Sequence, residues 1–299
     1  EPIEIIVSSD DLIYPEESVS PRCDYGYRAY DFYNPDCDDV DYICEDDDLY
    51  TDLEGFRYNW IEINGSQTFD GENLELDDDT MTTIPLPFDF TYFGEEYLEG
   101  DFLTVCSNGW ISFEETDVSY FWNFSIPNPM GPSAMIAPFM DDLDDNEGTE
   151  TFDVWYYYDQ NNERLIIEWD NVSNGEDDQN CPNCKKETFQ VILSPKVVSG
   201  QSIFNGNIIF QYKEIWDFDT NGNYSTIGIE SPDQDDGIQY LFSGHTGLGT
   251  RFPDEENTLV GGLAIKFTTD ETCISMDIDQ DNNINVIDVV AIISYILGT

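Results

Sequence analysis

Residues 103–113 read LTVCSNGWISF, two short runs of alternating apolar and small polar side chains on either side of Asn108-Gly109. Such alternation predicts β-strands, and Asn-Gly between two of them predicts a hairpin. Similar runs, separated by turn residues, recur along the chain without helical periodicity between them. The predicted strands are Tyr58–Asn64, Thr82–Phe93, Phe102–Ser107, Trp110–Glu114, Met135–Met140, Thr151–Tyr158, Arg164–Val172, Thr188–Ser194, Gly206–Glu214, Ser225–Glu230, Gly237–Phe242 and Leu259–Thr268. This pattern predicts a mainly β fold, a jelly-roll-like β-sandwich.

The chain divides into three parts. Residues 1–56 open with a short apolar strand, Ile3–Val7, and continue as an acidic, Tyr-rich segment that contains Cys23, Cys37 and Cys44. That segment lacks sustained periodicity, so we expect loops pinned by disulfides. Residues 57–270 carry the predicted sandwich. Residues 271–299 form a polar loop followed by an apolar helix.

The charge balance is extreme, because 10 Lys and Arg face 64 Asp and Glu, for a net charge of −54. Most carboxylates therefore lack a basic partner, and their repulsion destabilises a compact state unless divalent cations or high salt relieve it. Nucleic acid and anionic membranes carry charge of the same sign and are not expected partners. No segment is long enough to span a bilayer, so membrane insertion is not expected either.

Cysteine usage points to an oxidising compartment. Seven cysteines in a chain without an intracellular signature favour export, where disulfides persist. The chain opens at Glu1 rather than Met, which suits a form cleaved from a signal peptide. We therefore expect an extracellular or cell-surface location.

The C-terminal loop carries the sharpest chemical signal. Oxygen-bearing side chains occupy positions 1, 3, 5, 7, 9 and 12 of one loop: Asp277, Asp279, Asp281, Asn283, Asn285 and Asp288. Alternating oxygen ligands in a tight loop, closed by a carboxylate at position 12, suit Ca²⁺. The helix that follows is apolar on nearly every side, so it must be buried against its own domain or another chain.

Two parts of the chain resemble known families. The tail DIDQDNNINVIDVVAIISYILG, Asp277–Gly298, resembles one half of a type I dockerin, a Ca²⁺-binding module of extracellular bacterial assemblies. The runs IPLPFDFTYFGEEY (Ile84–Tyr97), LTVCSNGWISF and APFMDDLD (Ala137–Asp144) resemble an uncharacterised β-sandwich domain of large secreted bacterial proteins. That second resemblance covers residues 57–269. It implies an exported, multi-module context and supplies no catalytic residue.

Two further loops could hold Ca²⁺. The first repeats the alternation of oxygen ligands with Asp217, Asp219, Asn221 and Asn223. In the second, four acidic residues follow directly after an apolar strand: Asp141, Asp142, Asp144 and Asp145. Packing so many carboxylates on one loop raises their pKa values or requires a cation. In both loops, a solvated acidic turn is the alternative.

Catalysis finds little support. His245 is the only histidine, and the chain has no nucleophile-elbow motif. Cys181-Pro-Asn-Cys184 could be a redox pair, half a metal site or a structural disulfide, and the missing βαβ context favours the disulfide. The remaining odd cysteine is buried and free or bonded to another chain.

These observations favour a non-catalytic, calcium-stabilised extracellular protein that is structural or adhesive, and that self-associates as a surface filament or binds another extracellular module. A carbohydrate-binding module, whose exposed aromatic side chains stack on a polysaccharide, is the alternative. An acid-dependent hydrolase with two facing carboxylates is the third possibility.

Overall fold

A computed structural model describes residues 27–33, 58–65, 69–119, 122–144, 152–174, 186–197, 203–215, 225–242, 250–251 and 259–269. All regular elements in these ranges are strands: β1 (Tyr27–Tyr33), β2 (Glu72–Asn73), β3 (Met81–Pro85), β4 (Phe90–Tyr92), β5 (Glu95–Tyr97), β6 (Phe102–Cys106), β7 (Trp110–Ser112), β8 (Met135–Met140), β9 (Leu143–Asp144), β10 (Asp153–Asp159), β11 (Arg164–Asn174), β12 (Glu187–Val197), β13 (Ile203–Glu214), β14 (Thr226–Glu230), β15 (Gly237–Phe242), β16 (Thr250–Arg251) and β17 (Leu263–Thr269). The described part contains no helix with the length and hydropathy needed to cross a bilayer.

The strands form two main sheets, which confirms the predicted β-sandwich. The eight-stranded sheet has the order β1-β17-β13-β12-β11-β10-β2, with β9 attached to β11. The seven-stranded sheet has the order β16-β15-β14-β8-β7-β6-β3. Strands β4 and β5 form a separate hairpin. All pairings are antiparallel except that of β15 with β16.

The main core lies between the sheets and buries aliphatic and aromatic side chains from both. Trp169 of β11 stacks on Phe189 of β12, and its indole N–H donates to the Cys106 carbonyl at 3.1 Å. The Tyr212 hydroxyl donates across the sandwich to the Pro138 carbonyl at 2.7 Å. Aromatic side chains therefore fill the gap between the sheets, while their polar atoms bond the backbone of the opposite sheet.

The hairpin predicted around Asn108-Gly109 is present as β6 and β7. Gly109 has a φ of 74°, and a Cβ at this position would lie 1.8 Å from the Phe139 carbonyl oxygen. Only glycine therefore fits. The buried Asn108 amide donates to Asp79 Oδ1 at 2.8 Å, and its Oδ1 accepts the Leu143 N–H at 3.0 Å. The β6–β7 turn is thus joined to the loop before β3 and to the start of β9.

Some predicted boundaries differ from the structure. Strand β1 lies inside the segment for which the sequence predicts loops. Its inward positions, Tyr27, Ala29 and Asp31, mix aromatic, small and acidic side chains, so the strand has no clear apolar alternation. It pairs with β17 in continuous register. The predicted strand Thr82–Phe93 is divided between β3, which ends at Pro85, and β4, and Pro87 between them has no N–H to donate to a ladder.

Residues 58–64, predicted as a strand of the sheet, do not join a ladder apart from one isolated bridge at Asn64. Residues 58–65, hereafter the strap, instead cover the outer face of the large sheet. Ile61 and Ile63 pack there against Ile166 and Ile192 in a second apolar cluster. The alternation in the sequence therefore reflects burial of one side of an extended segment.

Candidate functional site

The acidic loop after β8 is partly described. Asp141 is 3% exposed. Its Oδ1 accepts the Asp142 backbone N–H at 2.8 Å, and its Oδ2 accepts Asn174 Nδ2 at 2.8 Å. Asp144 lies in β9, which pairs with the end of β11. The Asp141 carboxylate therefore joins the β8–β9 turn to β11.

The predicted Ca²⁺ sites stay predictions. Within the described ranges, no three His, Cys, Asp or Glu side chains are grouped closely enough to hold a metal ion. Asp145 lies outside those ranges, as do Cys181 and Cys184. The same holds for both loops with alternating oxygen ligands, namely Asp217, Asp219, Asn221 and Asn223, and Asp277, Asp279, Asp281, Asn283, Asn285 and Asp288.

A larger polar network lies beneath the strap. Gln211 of β13 bonds both backbone groups of Asn59: its Oε1 accepts the Asn59 N–H at 2.6 Å, and its Nε2 donates to the Asn59 carbonyl at 2.9 Å. Farther along, Asn64 Nδ2 donates to Asp170 Oδ2 at 2.8 Å. Side chains of the sheet thus supply the hydrogen bonds that a neighbouring strand would otherwise give the strap.

At the centre of this network are Glu62 of the strap, Glu168 of β11 and Lys213 of β13. Lys213 Nζ donates to Glu62 Oε2 at 2.7 Å and lies 5.4 Å from the centre of the Trp60 ring. The Ile63 N–H donates to Glu168 Oε2 at 3.3 Å. Glu168 is fully buried. One strap thus brings a cation, a carboxylate and a buried carboxyl group together.

The side chains of Glu62 and Glu168 are hydrogen-bonded to each other. Oε1 of Glu62 and Oε1 of Glu168 are both buried without a donor among the described residues. Two carboxyl oxygens can hydrogen-bond only when one group is protonated. Burial, together with the Glu62 charge, raises the pKa of Glu168 from 4.5 to about 10. Glu168 is therefore a neutral acid at pH 7 that donates to Glu62.

Glu62 and Lys213 keep their charges. Burial opposes ionisation of Glu62, but hydrogen bonds from Lys213 and Glu168 lower its pKa below the ordinary value. Burial also opposes protonation of Lys213, yet Glu62 raises its pKa above the ordinary value. Asp170 has a raised pKa because of burial, although its bond from Asn64 acts in the opposite direction. The resting arrangement is an ion pair next to a protonated acid.

A second irregular segment, residues 122–134, covers the outer face of the small sheet and is hereafter the cover loop. Its Ile126 packs into space left by Gly228 and Gly237, where a Cβ would lie 3.0 Å and 2.6 Å from the isoleucine side chain. The Asn128 N–H donates to the buried Glu230 carboxyl at 2.5 Å. Burial raises the pKa of Glu230 to about 8.

Large apolar side chains are exposed at two places. Trp122 and Met130 lie in the cover loop, with 60% and 68% of their surface exposed. Leu98 and Phe102 lie near the end of β3, where Phe102 pairs with Pro85. Cys106, by contrast, is buried and free, and burial raises the pKa of its thiol to about 12. This agrees with one of the two expectations for the odd cysteine.

Sequence reasoning missed the carboxyl pair. Glu168 is one of many acidic residues and lies in a segment correctly predicted as a strand. A signal was present, because Glu168 interrupts the apolar run Leu165–Trp169, and a lone carboxylate within a buried strand requires a partner. Glu62 could not be assigned as that partner, because the sequence does not show which segment covers β11.

Comparison with known proteins identifies the family. No curated protein and no solved structure matches the chain. A family model described as NIDO related matches residues 53–252, which include both the strap and the cover loop. The match does not extend to the dockerin-like tail. NIDO-related domains are β-rich modules typical of extracellular proteins. Because the match covers about two thirds of its 299 residues, the chain belongs to the NIDO-related family.

Proposed function

We propose that the chain is a non-catalytic structural or adhesive module of an extracellular assembly, stabilised by Ca²⁺. The observation that carries this proposal is how the buried carboxyl groups are used. Glu168 and Glu230 each accept a backbone N–H from a segment that covers an outer sheet face, and Asp141 fastens a turn. These groups hold the protein's own backbone, which is a structural use of acidic side chains.

The charge of the chain supports a role for Ca²⁺. Each chain carries a net charge of −54. Two such chains repel each other when their surfaces come within about a Debye length, roughly 8–10 Å at physiological salt. Two chains of this composition cannot approach closely unless cations screen or bridge their surfaces. The oxygen-rich loop at 277–288 has the ligand type and spacing that Ca²⁺ prefers. Ca²⁺ thus serves both folding and self-association in this proposal.

Calorimetry at low salt tests the role of Ca²⁺. A ligand that binds only the native state, and is present at a concentration of 100 times its Kd, stabilises that state by about 2.7 kcal/mol. Ca²⁺ should therefore raise the thermal midpoint, and EGTA should lower it. The variant Asp277→Ala/Asp288→Ala should lose a substantial part of the shift. NaCl at matched ionic strength is the control. An equal effect of NaCl would assign the stabilisation to screening and contradict a specific site.

Light scattering tests self-association through the ends of the chain. The apolar helix predicted after residue 285 and the apolar strand Ile3–Val7 are the contacts that we propose. The full chain should form concentration-dependent oligomers in Ca²⁺, and deletion of residues 1–8 should leave folded monomers. A full chain that stays monomeric at high concentration in millimolar Ca²⁺ contradicts this part of the proposal.

A carbohydrate-binding module is the second candidate, and the exposure of Trp122 favours it. An exposed indole can stack on the apolar face of a sugar ring, as aromatic side chains do with flat ligands. Trp122→Ala should then abolish retention on a polysaccharide affinity gel while circular dichroism shows that the variant is folded. Equal migration of both proteins through gels of several polysaccharide types would exclude this function.

A further inference from the structure

We propose that Lys213 and Glu62 condense to an intramolecular amide, with Glu168 transferring protons, so that the strap becomes covalently joined to β13. This covalent modification is independent of Ca²⁺ binding and self-association. It depends on the placement of three side chains from three separate segments of the chain. Each of them meets a different requirement of the reaction.

The first requirement is contact between nucleophile and electrophile. Lys213 Nζ and Glu62 Oε2 are 2.7 Å apart. An amine that is hydrogen-bonded to a carboxyl oxygen lies roughly 3–3.5 Å from the carboxyl carbon, which is near-attack distance. Trp60 helps to fix this geometry, because its indole N–H donates to the same Glu62 oxygen at 3.3 Å. Trp60 is therefore a positioning residue.

The second requirement is a proton donor on the other side of the carboxyl group. Glu168 contacts Glu62, and the Oε1 atoms of both groups are buried with no other donor in the described chain. A protonated Glu168 therefore points its hydrogen at Glu62. Such a bond polarises the Glu62 carboxyl group and supplies the proton that its oxygen needs in order to leave as water.

The resting Lys213–Glu62 pair is ionic, so the reaction begins with transfer of one proton from Nζ to Glu62 Oε2. The neutral amine attacks Cδ of Glu62 and forms the C–N bond, while Glu168 protonates Oε1. Glu168 then accepts a proton from the nitrogen and gives it to one of the two hydroxyl groups on Cδ. The C–O bond to that hydroxyl breaks to release water, while the other hydroxyl returns its proton to Glu168 and becomes the amide carbonyl. The net change converts one ammonium and one carboxylate into an amide and water. Glu168 ends protonated, and no oxidant or reductant is required.

Two physical effects favour the amide in the folded chain. Effective molarities of well-oriented intramolecular reactions reach about 10⁵–10⁸ M, which offsets the cost of neutralising the ion pair. The Glu62 side chain is also only 10% exposed, so water has limited access to reverse the reaction. The bond would join residues 151 positions apart in sequence. Force applied to the strap would then load a covalent bond as well as the strap's hydrogen bonds.

Intact mass spectrometry of the reduced, denatured full chain tests the proposal. Wild-type protein that has been held folded should weigh one water molecule less than its sequence mass. Digestion should give a branched peptide that joins residue 62 to residue 213. The matched variant Lys213→Arg keeps a cation opposite Glu62 and should retain the full mass. Glu168→Gln keeps a hydrogen-bond donor but loses the acid, so it should also retain the full mass.

Three results would overturn the proposal. Full mass in folded wild-type protein after prolonged incubation excludes the cross-link. Loss of water that persists in Lys213→Arg places the modification elsewhere. Loss of ammonia instead of water makes an amide side chain such as Asn64 the acceptor and rejects Glu62. Circular dichroism of each variant separates a missing reaction from a missing fold.

Discussion

In a Lys213→Arg background, which cannot form the proposed amide, replacing Glu168 with Gln should stabilise the protein at neutral pH. The folded pKa of Glu168 is raised from 4.5 to about 10, so the native state keeps a proton that the unfolded state releases above pH 4.5. Stability contributed by this group is therefore fully present below pH 4.5 and falls as pH rises towards 10. The loss is about 1.4 kcal/mol per pH unit, or roughly 3 kcal/mol at pH 7. Gln is neutral at every pH and can still donate to Glu62.

Urea denaturation between pH 5 and 9 at constant ionic strength measures this effect. Lys213→Arg/Glu168→Gln should be more stable than Lys213→Arg by roughly 2–3 kcal/mol at pH 7 and should show a flatter dependence on pH. The difference should vanish near pH 4.5. Glu96→Gln, at an exposed position of β5, is the control for removal of a negative charge and should change stability by less than about 0.5 kcal/mol. A Lys213→Arg/Glu168→Gln protein that is destabilised at pH 8, with the pH dependence of Lys213→Arg, refutes protonation of Glu168 in the folded state.

Three further predictions concern single sites. Gln190 is buried and neither atom of its amide has a partner in the described chain, so Gln190→Leu should raise stability by roughly 1–3 kcal/mol in urea denaturation. Gly109→Ala should cost more than about 2 kcal/mol, because the methyl group collides with the Phe139 carbonyl, and an unchanged urea midpoint would contradict that contact. Non-reducing peptide mapping should show Cys181 linked to Cys184, whereas free thiols at both positions would reject the oxidising compartment.

The fold was predictable where local sequence specifies local structure. The turn around Gly109 and the strands on either side of it follow from Asn-Gly between alternating residues. Strand β1 was not predictable, because its alternation becomes visible only when β17 supplies the neighbouring strand and Tyr240 bonds Asp31. The strap was predicted as extended, but its position on an outer face depends on partners more than a hundred residues away, such as Glu168 and Gln211.

The candidate site was less predictable than the fold. Asp141 was selected from its crowded acidic context, and the structure gives its carboxylate two hydrogen-bond donors from the chain itself. The pair of Glu62 and Glu168 has no spacing motif, because its members come from segments 106 positions apart. In a chain with 64 acidic residues, composition conceals which carboxyl groups are buried. Only the tertiary structure distinguishes them.

The strap and the cover loop also affect how copies of this chain can be arranged side by side. A bare sheet face invites a second sheet to stack on it at about 10 Å, the spacing that drives lateral growth of cross-β fibres. In this chain, the strap lies on the outer face of the large sheet and the cover loop lies on the outer face of the small sheet. These segments keep the sheets of two adjacent molecules farther apart than about 10 Å. We therefore expect crowded copies to avoid the sheet-upon-sheet stacking of amyloid, even when salt has screened the repulsion between their charges.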